Sequence, residues 1–215
     1  MKDKFSKGEV LARIRSALLQ PTPMPFPQID NRSNVYAPSD ESLDVRFAAE
    51  FTKLQGQFLY CEDHKDFVTQ LKNLTEERKW NHLFCWESRI TEVLKRYDFR
   101  KVRIGQDIRM ADAGITACEA LVARTGSVLL SSRLASGRSL SIFPPVHVVV
   151  AYSDQLVEDI EEALSNLTTK YGSSLPSMIS LVTGPSRTAD IEKTLVLGAH
   201  GPKEVYVFLI DKASR

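Results

Sequence analysis

From Ser42 onward the chain alternates short apolar runs of strand length with stretches whose apolar residues recur at helical spacing. Few folds accept such a pattern. Residues 43–54 read as a helix and 57–61 as a strand; 63–78 read as a helix and 82–86 as a strand; 88–97 read as a further helix. Later strands are expected at 127–131, 146–152, 177–182 and 205–210, with a helix at 154–171 that Asp154 would cap. Strand–helix alternation at this spacing calls for an α/β fold, a mostly parallel sheet flanked by helices. With 215 residues and 43% hydrophobic content, the chain can bury a sizeable core.

The first forty residues have a different texture. Val10, Leu11, Ile14, Ala17 and Leu18 mark an amphipathic helix, with Ser6 and Glu9 placed as a capping box. Half of the ten prolines then fall between Pro21 and Pro38, which makes an extended linker or an arm lying on another surface. We therefore divide the chain into a helix and Pro-rich arm over residues 1–40 and a globular domain over 41–215.

Charge narrows the partners. Net charge is +1, which argues against broad nucleic-acid or membrane-surface binding. No apolar run is long enough to span a bilayer, and the charged first residues lack the apolar core of a signal peptide. The expectation is a cytoplasmic protein. Cys61, Cys85 and Cys118 form no close pair, so neither a disulfide framework nor a Cys-x-x-Cys metal or cluster motif is expected. Cys61 and Cys85 lie in strand-like runs as small core residues.

Four loops carry residue types suited to a small anion. Thr125-Gly126-Ser127 pairs hydroxyls with a glycine that permits close backbone approach. Arg138 offers a planar fork for a carboxylate or phosphate, and His147 opens an apolar strand, as a ligand-binding group or as a satisfied core residue. The run at residues 181–192 reads as a buried strand, a tight turn at Gly184-Pro185 and a helix start. There Thr183, Gly184, Ser186 and Thr188 would bind an anion, or one hydroxyl would simply cap the helix. Gly198 and Gly201 suggest a turn displaying His200. Glu119, Asp190 and His200 are the candidates for acid–base or nucleophilic work. If one pocket holds these groups, Arg138, the 183–188 turn and His200 meet at one end of the sheet.

Taken in order, these stretches resemble the LUD-domain family. The resemblance rests on Gly114-Ile-Thr116 with Glu119, Thr125-Gly-Ser127 and Gly137-Arg-Ser-Leu-Ser-Ile-Phe-Pro-Pro-Val-His-Val148. It continues through Thr183-Gly-Pro-Ser-Arg-Thr-Ala-Asp-Ile-Glu192 and Leu197-Gly-Ala-His-Gly-Pro202. It implies a fold like that of the glucosamine-phosphate isomerase, ribose-phosphate isomerase and CoA-transferase group. It also implies a part in oxidising L-lactate to pyruvate, beside iron–sulfur oxidoreductase subunits that carry the clusters, with no cofactor intrinsic to this chain. A free-standing enzyme acting on phosphosugars, CoA esters or carboxylates, and a metabolite sensor, are the competing readings. The chain departs from the family at Arg124, where an acidic residue usually precedes Thr-Gly, and at Ala117-Cys118, where a pair of small residues is usual.

Overall fold

A computed structural model describes residues 7–19, 36, 40–105, 107–191, 194–198 and 200–211, with the backbone alone for 188–191 and 194–197. The chain divides into two units, Met1–Asp40 and Glu41–Arg215. In the first, helix α1 spans Lys7–Leu18 and buries none of its residues. Ser6 and most of the Pro-rich segment lie outside the described residues.

The second unit is built on two sheets. The larger has six parallel strands in the order β1 (Gln57–Cys61), β12 (Glu204–Ile210), β7 (Val146–Tyr152), β4 (Ala113–Thr116), β2 (Leu83–Cys85) and β3 (Val102–Arg103). The smaller has the order β8 (Leu156–Val157), β5 (Ala120–Val122), β6 (Ser127–Ser131) and β9 (Ile179–Val182), with parallel and antiparallel pairs. The α/β architecture with a parallel main sheet is thus the one expected from the alternating pattern.

Strand β7 explains why the large sheet is central. Val146, Val148 and Val150 pack on one face with Phe67 and Leu71 of helix α3 (His64–Glu77) and Ile90 and Leu94 of helix α4 (Ser88–Arg96). Val149 and Ala151 pack on the other face with Phe47 and Phe51 of helix α2 (Leu43–Lys53) and with Leu121, Val128 and Leu130 of the small sheet. A strand buried on both faces reads as a continuous apolar run rather than an alternating one. The outer face of the small sheet gives Val122 and Leu129 to Ala163 and Leu167 of helix α5 (Ile160–Tyr171). Cys61, Cys85 and Cys118 are buried free thiols. Burial pushes the Cys61 and Cys85 thiols up to about 12.

Three local expectations are corrected. Helix α5 begins at Ile160 and is capped by Asp159; Asp154 sits instead in a short 3-10 turn, Ser153–Gln155, because β8 intervenes. Strand β9 is an edge strand, not a buried one, and exposes Ile179 and Leu181. No helix follows Gly184-Pro185. The chain enters β10 (Arg187–Ile191), which pairs antiparallel with β11 (Thr194–Leu197). Ser186 does not cap: its N–H donates to Pro202 O at 2.9 Å and its carbonyl accepts from Gly198 N at 2.9 Å, so the hairpin and its exit loop take up its backbone groups.

Candidate functional site

The small sheet sorts the candidate residues into two clusters, one at each end of β6. At the start of β6, Thr125 Oγ1 donates to Ser127 Oγ at 2.8 Å, and Ser127 Oγ lies 2.8 Å from Thr183 Oγ1. Gly126, with φ +57°, closes the turn between them against the backbone of Phe51. Gly184 abuts the carbonyl of Leu54, and Ser186 abuts Gly201. Thr125, Gly126, Thr183, Gly184 and Ser186 are therefore neighbours. The hydroxyls of Thr125, Ser127 and Thr183 bond one another, which staples the loops. His200, on the same loop as Gly201, is exposed. Thr188 and Asp190 have their backbone in β10, not in a first helical turn.

Arg138 does not join that cluster. Its guanidinium donates to Ser177 Oγ at 2.7 Å, just before β9, whereas Thr183 follows the other end of the same strand. The single pocket uniting Arg138 with the 183–188 turn is overturned by this register. His147 is withdrawn from solvent altogether. Its Nε2 lies 2.9 Å from Thr116 Oγ1, and its Nδ1 has no hydrogen-bond partner among the described residues. Burial lowers its pKa from 6.5 to about 4, so the ring is neutral at physiological pH.

The second cluster, at the far end of β6, is built on Glu119. The chain leaves β4 at Thr116 and turns through Cys118, whose carbonyl accepts from Gln155 Nε2 at 2.7 Å. Glu119 then enters the small sheet with a side chain only 3% exposed. Its carboxylate accepts from Lys170 Nζ at 2.8 Å, from Tyr171 Oη at 2.8 Å and from Ser131 Oγ. Burial pushes this carboxyl up, but the bonds from Lys170, Ser131 and Tyr171 outweigh it and hold the group below its ordinary value. Glu119 is thus a buried, ionised carboxylate. Burial lowers the Lys170 pKa, the Glu119 contact raises it, and the net shift is upward, so the pair is charged on both sides.

A cleft of about 160 Å³ opens on this pair. Glu119, Lys170, Asn166, Asp154 and Gln155 provide its polar groups, and Val157, Ala163 and Leu167 its apolar wall. Asp154 and Gln155 follow β7, and Glu119 follows β4, so the cleft lies beyond the carboxyl ends of two adjacent parallel strands. Open α/β sheets receive ligands at that edge. A carboxylate with three donors and a lowered pKa suits charge anchoring better than proton abstraction, which needs a base poised near working pH. Glu119 was legible in the sequence as a candidate. Lys170 and Tyr171 were not, because they stand some fifty residues away in the last turn of α5 and carry no local signal there.

Arg124 also finds its reason in α5. Its Nε and one terminal nitrogen donate to the two carboxylate oxygens of Asp159, at 2.9 and 2.7 Å, so a guanidinium fork sits on the residue that caps the helix. The Arg124 bonds hold the Asp159 carboxyl below its usual value. The positive charge at this position is met by a partner rather than turned toward the Glu119 cleft. Among the described residues no group of three or more His, Cys, Asp or Glu could hold a metal ion, and no helix is long and apolar enough to cross a membrane.

A family model described as the LUD domain matches residues 45–210. A Lactate utilization protein C of Shouchella clausii is 37% identical over 109 residues, which cover 50% of this chain and 48% of that protein. One from Bacillus subtilis is 36% identical over 105 residues, covering 47% and 44%. The chain therefore spans about half the length of the curated relatives it matches. The crystal structure of a DUF162 family protein from Deinococcus radiodurans superposes with a TM-score of 0.58 at 17% identity, over 78% of this chain and 96% of that one.

Proposed function

The chain belongs to the LUD-domain family, and on that premise we propose that it serves a lactate-utilisation system by holding a small hydroxycarboxylate in the Glu119 cleft. The oxidation itself passes to partner subunits that carry iron–sulfur clusters, as the family resemblance implies. The observation that carries the reading is the buried Glu119 carboxylate paired with Lys170 at the mouth of a small cleft.

The chemistry of the cleft supports an α-hydroxy acid. Lys170, whose side chain is 58% exposed, is the cationic partner for the ligand's carboxylate. Asn166 adds an amide donor on the same wall. Glu119 has acceptor capacity beyond its three protein donors, since a carboxylate offers about four lone-pair sites. It can accept from the ligand's hydroxyl. An acid lacking that hydroxyl leaves the site unpaired, which costs affinity. The cleft has room for a ligand of a few heavy atoms.

Thermal melting with L-lactate, D-lactate, pyruvate and propionate tests this. L-Lactate should raise Tm in a concentration-dependent way and propionate should not. Lys170→Met and Glu119→Gln should each weaken binding at least ten-fold, whereas Thr183→Ala, at the other end of β6, should leave it unchanged. An equal response to propionate and lactate, or no response at tens of millimolar, would remove the cleft as the site. Affinity purification from lactate-grown cells tests the assembly separately: recovery of cysteine-rich iron–sulfur subunits is expected, and recovery of the chain alone after crosslinking counts against it.

A further inference from the structure

A second cavity lies away from Glu119, at the open edge of the large sheet. Helix α4 ends at Arg96; Asp98, with φ +58°, reverses the chain, and Phe99 leads into β3. The returning segment and α4 bound a groove of about 330 Å³. Leu94, Phe99, Val102 and Ile104 make its apolar lining, and Lys95 and Arg100 its charged rim. Ile104 is 59% exposed, a large apolar side chain left in water beside the groove.

Two further observations say what would cover it. First, β3 is the outermost strand: Val102 and Arg103 pair with β2 on one side, and no described strand lies on the other. Its outward backbone groups can add a strand. Second, the stretch 95–104 holds five basic residues, Lys95, Arg96, Arg100, Lys101 and Arg103, against the single acid Asp98, in a chain whose net charge is only +1. A short charged strand can also serve to repel stray edges. Repulsion alone, however, does not call for an apolar groove and an exposed isoleucine beside the charges.

We propose that this edge docks an extended acidic segment of a partner protein, which adds a strand to β3 and seats an apolar side chain against Phe99 and Ile104. Main-chain bonds to β3 give the orientation, the groove takes alternate side chains, and glutamates or aspartates meet the basic rim. The apolar lining and the strand edge select a peptide over a nucleic acid, which would need a broad basic face with exposed aromatic platforms. This inference does not depend on what the Glu119 cleft binds.

Peptide display on the immobilised full chain tests it, with counter-selection on a Lys95→Glu/Arg100→Glu/Ile104→Asp variant. These three side chains are exposed, and circular dichroism and Tm would confirm that the variant is folded. The enriched peptides should alternate acidic with apolar residues and lack proline. A selected peptide should bind the variant at least ten-fold more weakly. The same peptide N-methylated at alternate amides, with charges and side chains kept, should lose at least ten-fold in affinity. Enrichment of peptides without acidic residues, equal binding to both proteins, or indifference to N-methylation would overturn the proposal. So would a fluorescein-labelled single-stranded oligodeoxynucleotide that binds the wild type and displaces the selected peptide, which would assign the groove to nucleic acid.

Discussion

His147 is the residue whose environment makes the sharpest demand. An imidazole with no exposure, one partner and a pKa of about 4 stays neutral in the folded chain, whereas in the unfolded chain it titrates near 6.5. Between those values the unfolded state binds more protons, so stability is complete above about pH 6.5 and falls as pH drops toward 4. From pH 7 to pH 5 the loss should be about 2 kcal/mol. Urea titrations at pH 7, 6 and 5 would measure it. The double variant Thr116→Val/His147→Phe removes both partners of the one hydrogen bond and leaves neither unpaired. Its stability should be nearly flat across that window, and an unchanged pH slope would shift the cause to other groups. The sequence presented His147 as either a ligand-binding group or a core residue. Only burial by the neighbouring strands decides, and burial is not a local property of Val-His-Val.

At the scale of elements, the turn before β6 shows how packing exploits one residue. Gly126 and Gly137 share a φ of +57°, a region that L side chains seldom adopt. A Cβ on Gly137 would meet nothing within 4 Å, but one on Gly126 would lie 2.4 Å from Phe51 N, inside helix α2. Gly137→Ala should therefore cost about 1–2 kcal/mol, the backbone term alone. Gly126→Ala should cost roughly 2–4 kcal/mol, because the turn must also retreat from α2. Denaturant midpoints of the two variants give the difference directly, and equal costs would mean that the contact with α2 is dispensable. Elements of this kind divide by how local their cause is. The runs at β7 and β12 are apolar but for His147 and Glu204, and were legible in the sequence. Strands β3, β5 and β8, of two or three residues, exist because a neighbour supplies their bonds. The β10–β11 hairpin was misread as a helix start for the same reason. Hydroxyls at 186 and 188 after a Gly-Pro turn satisfy the local rule for a cap, and the pairing with 194–197 that overrides it is non-local.

Across the whole molecule, the alternating pattern predicted the parallel sheet and the layers of helices. It did not predict the second sheet, which comes from antiparallel returns at β6 and β9. The candidate site shared that limit. Arg138 and Thr183 were both named, yet the idea of one pocket uniting them failed because β9 separates the ends at which they lie. The division at residue 40 leads to a prediction of its own. Among the described residues every core cluster is drawn from Leu43 onward, and α1 buries nothing. Hydrophobic burial dominates the favourable side of folding, so a helix such as α1 that contributes none should be dispensable to it. A chain beginning at Glu41 should unfold cooperatively with a Tm within about 2 °C of the full chain, a shift worth less than ~1 kcal/mol at this size. It should also keep the pH dependence due to His147 and the binding of lactate, since the described residues of both sites belong to the second unit. Melting curves of the two chains, followed by circular dichroism, would decide. A broad or strongly lowered transition would mean that the first forty residues complete the fold. An unchanged transition with lost recovery of partner subunits would give the arm a docking role and leave the globular unit as the ligand-binding part.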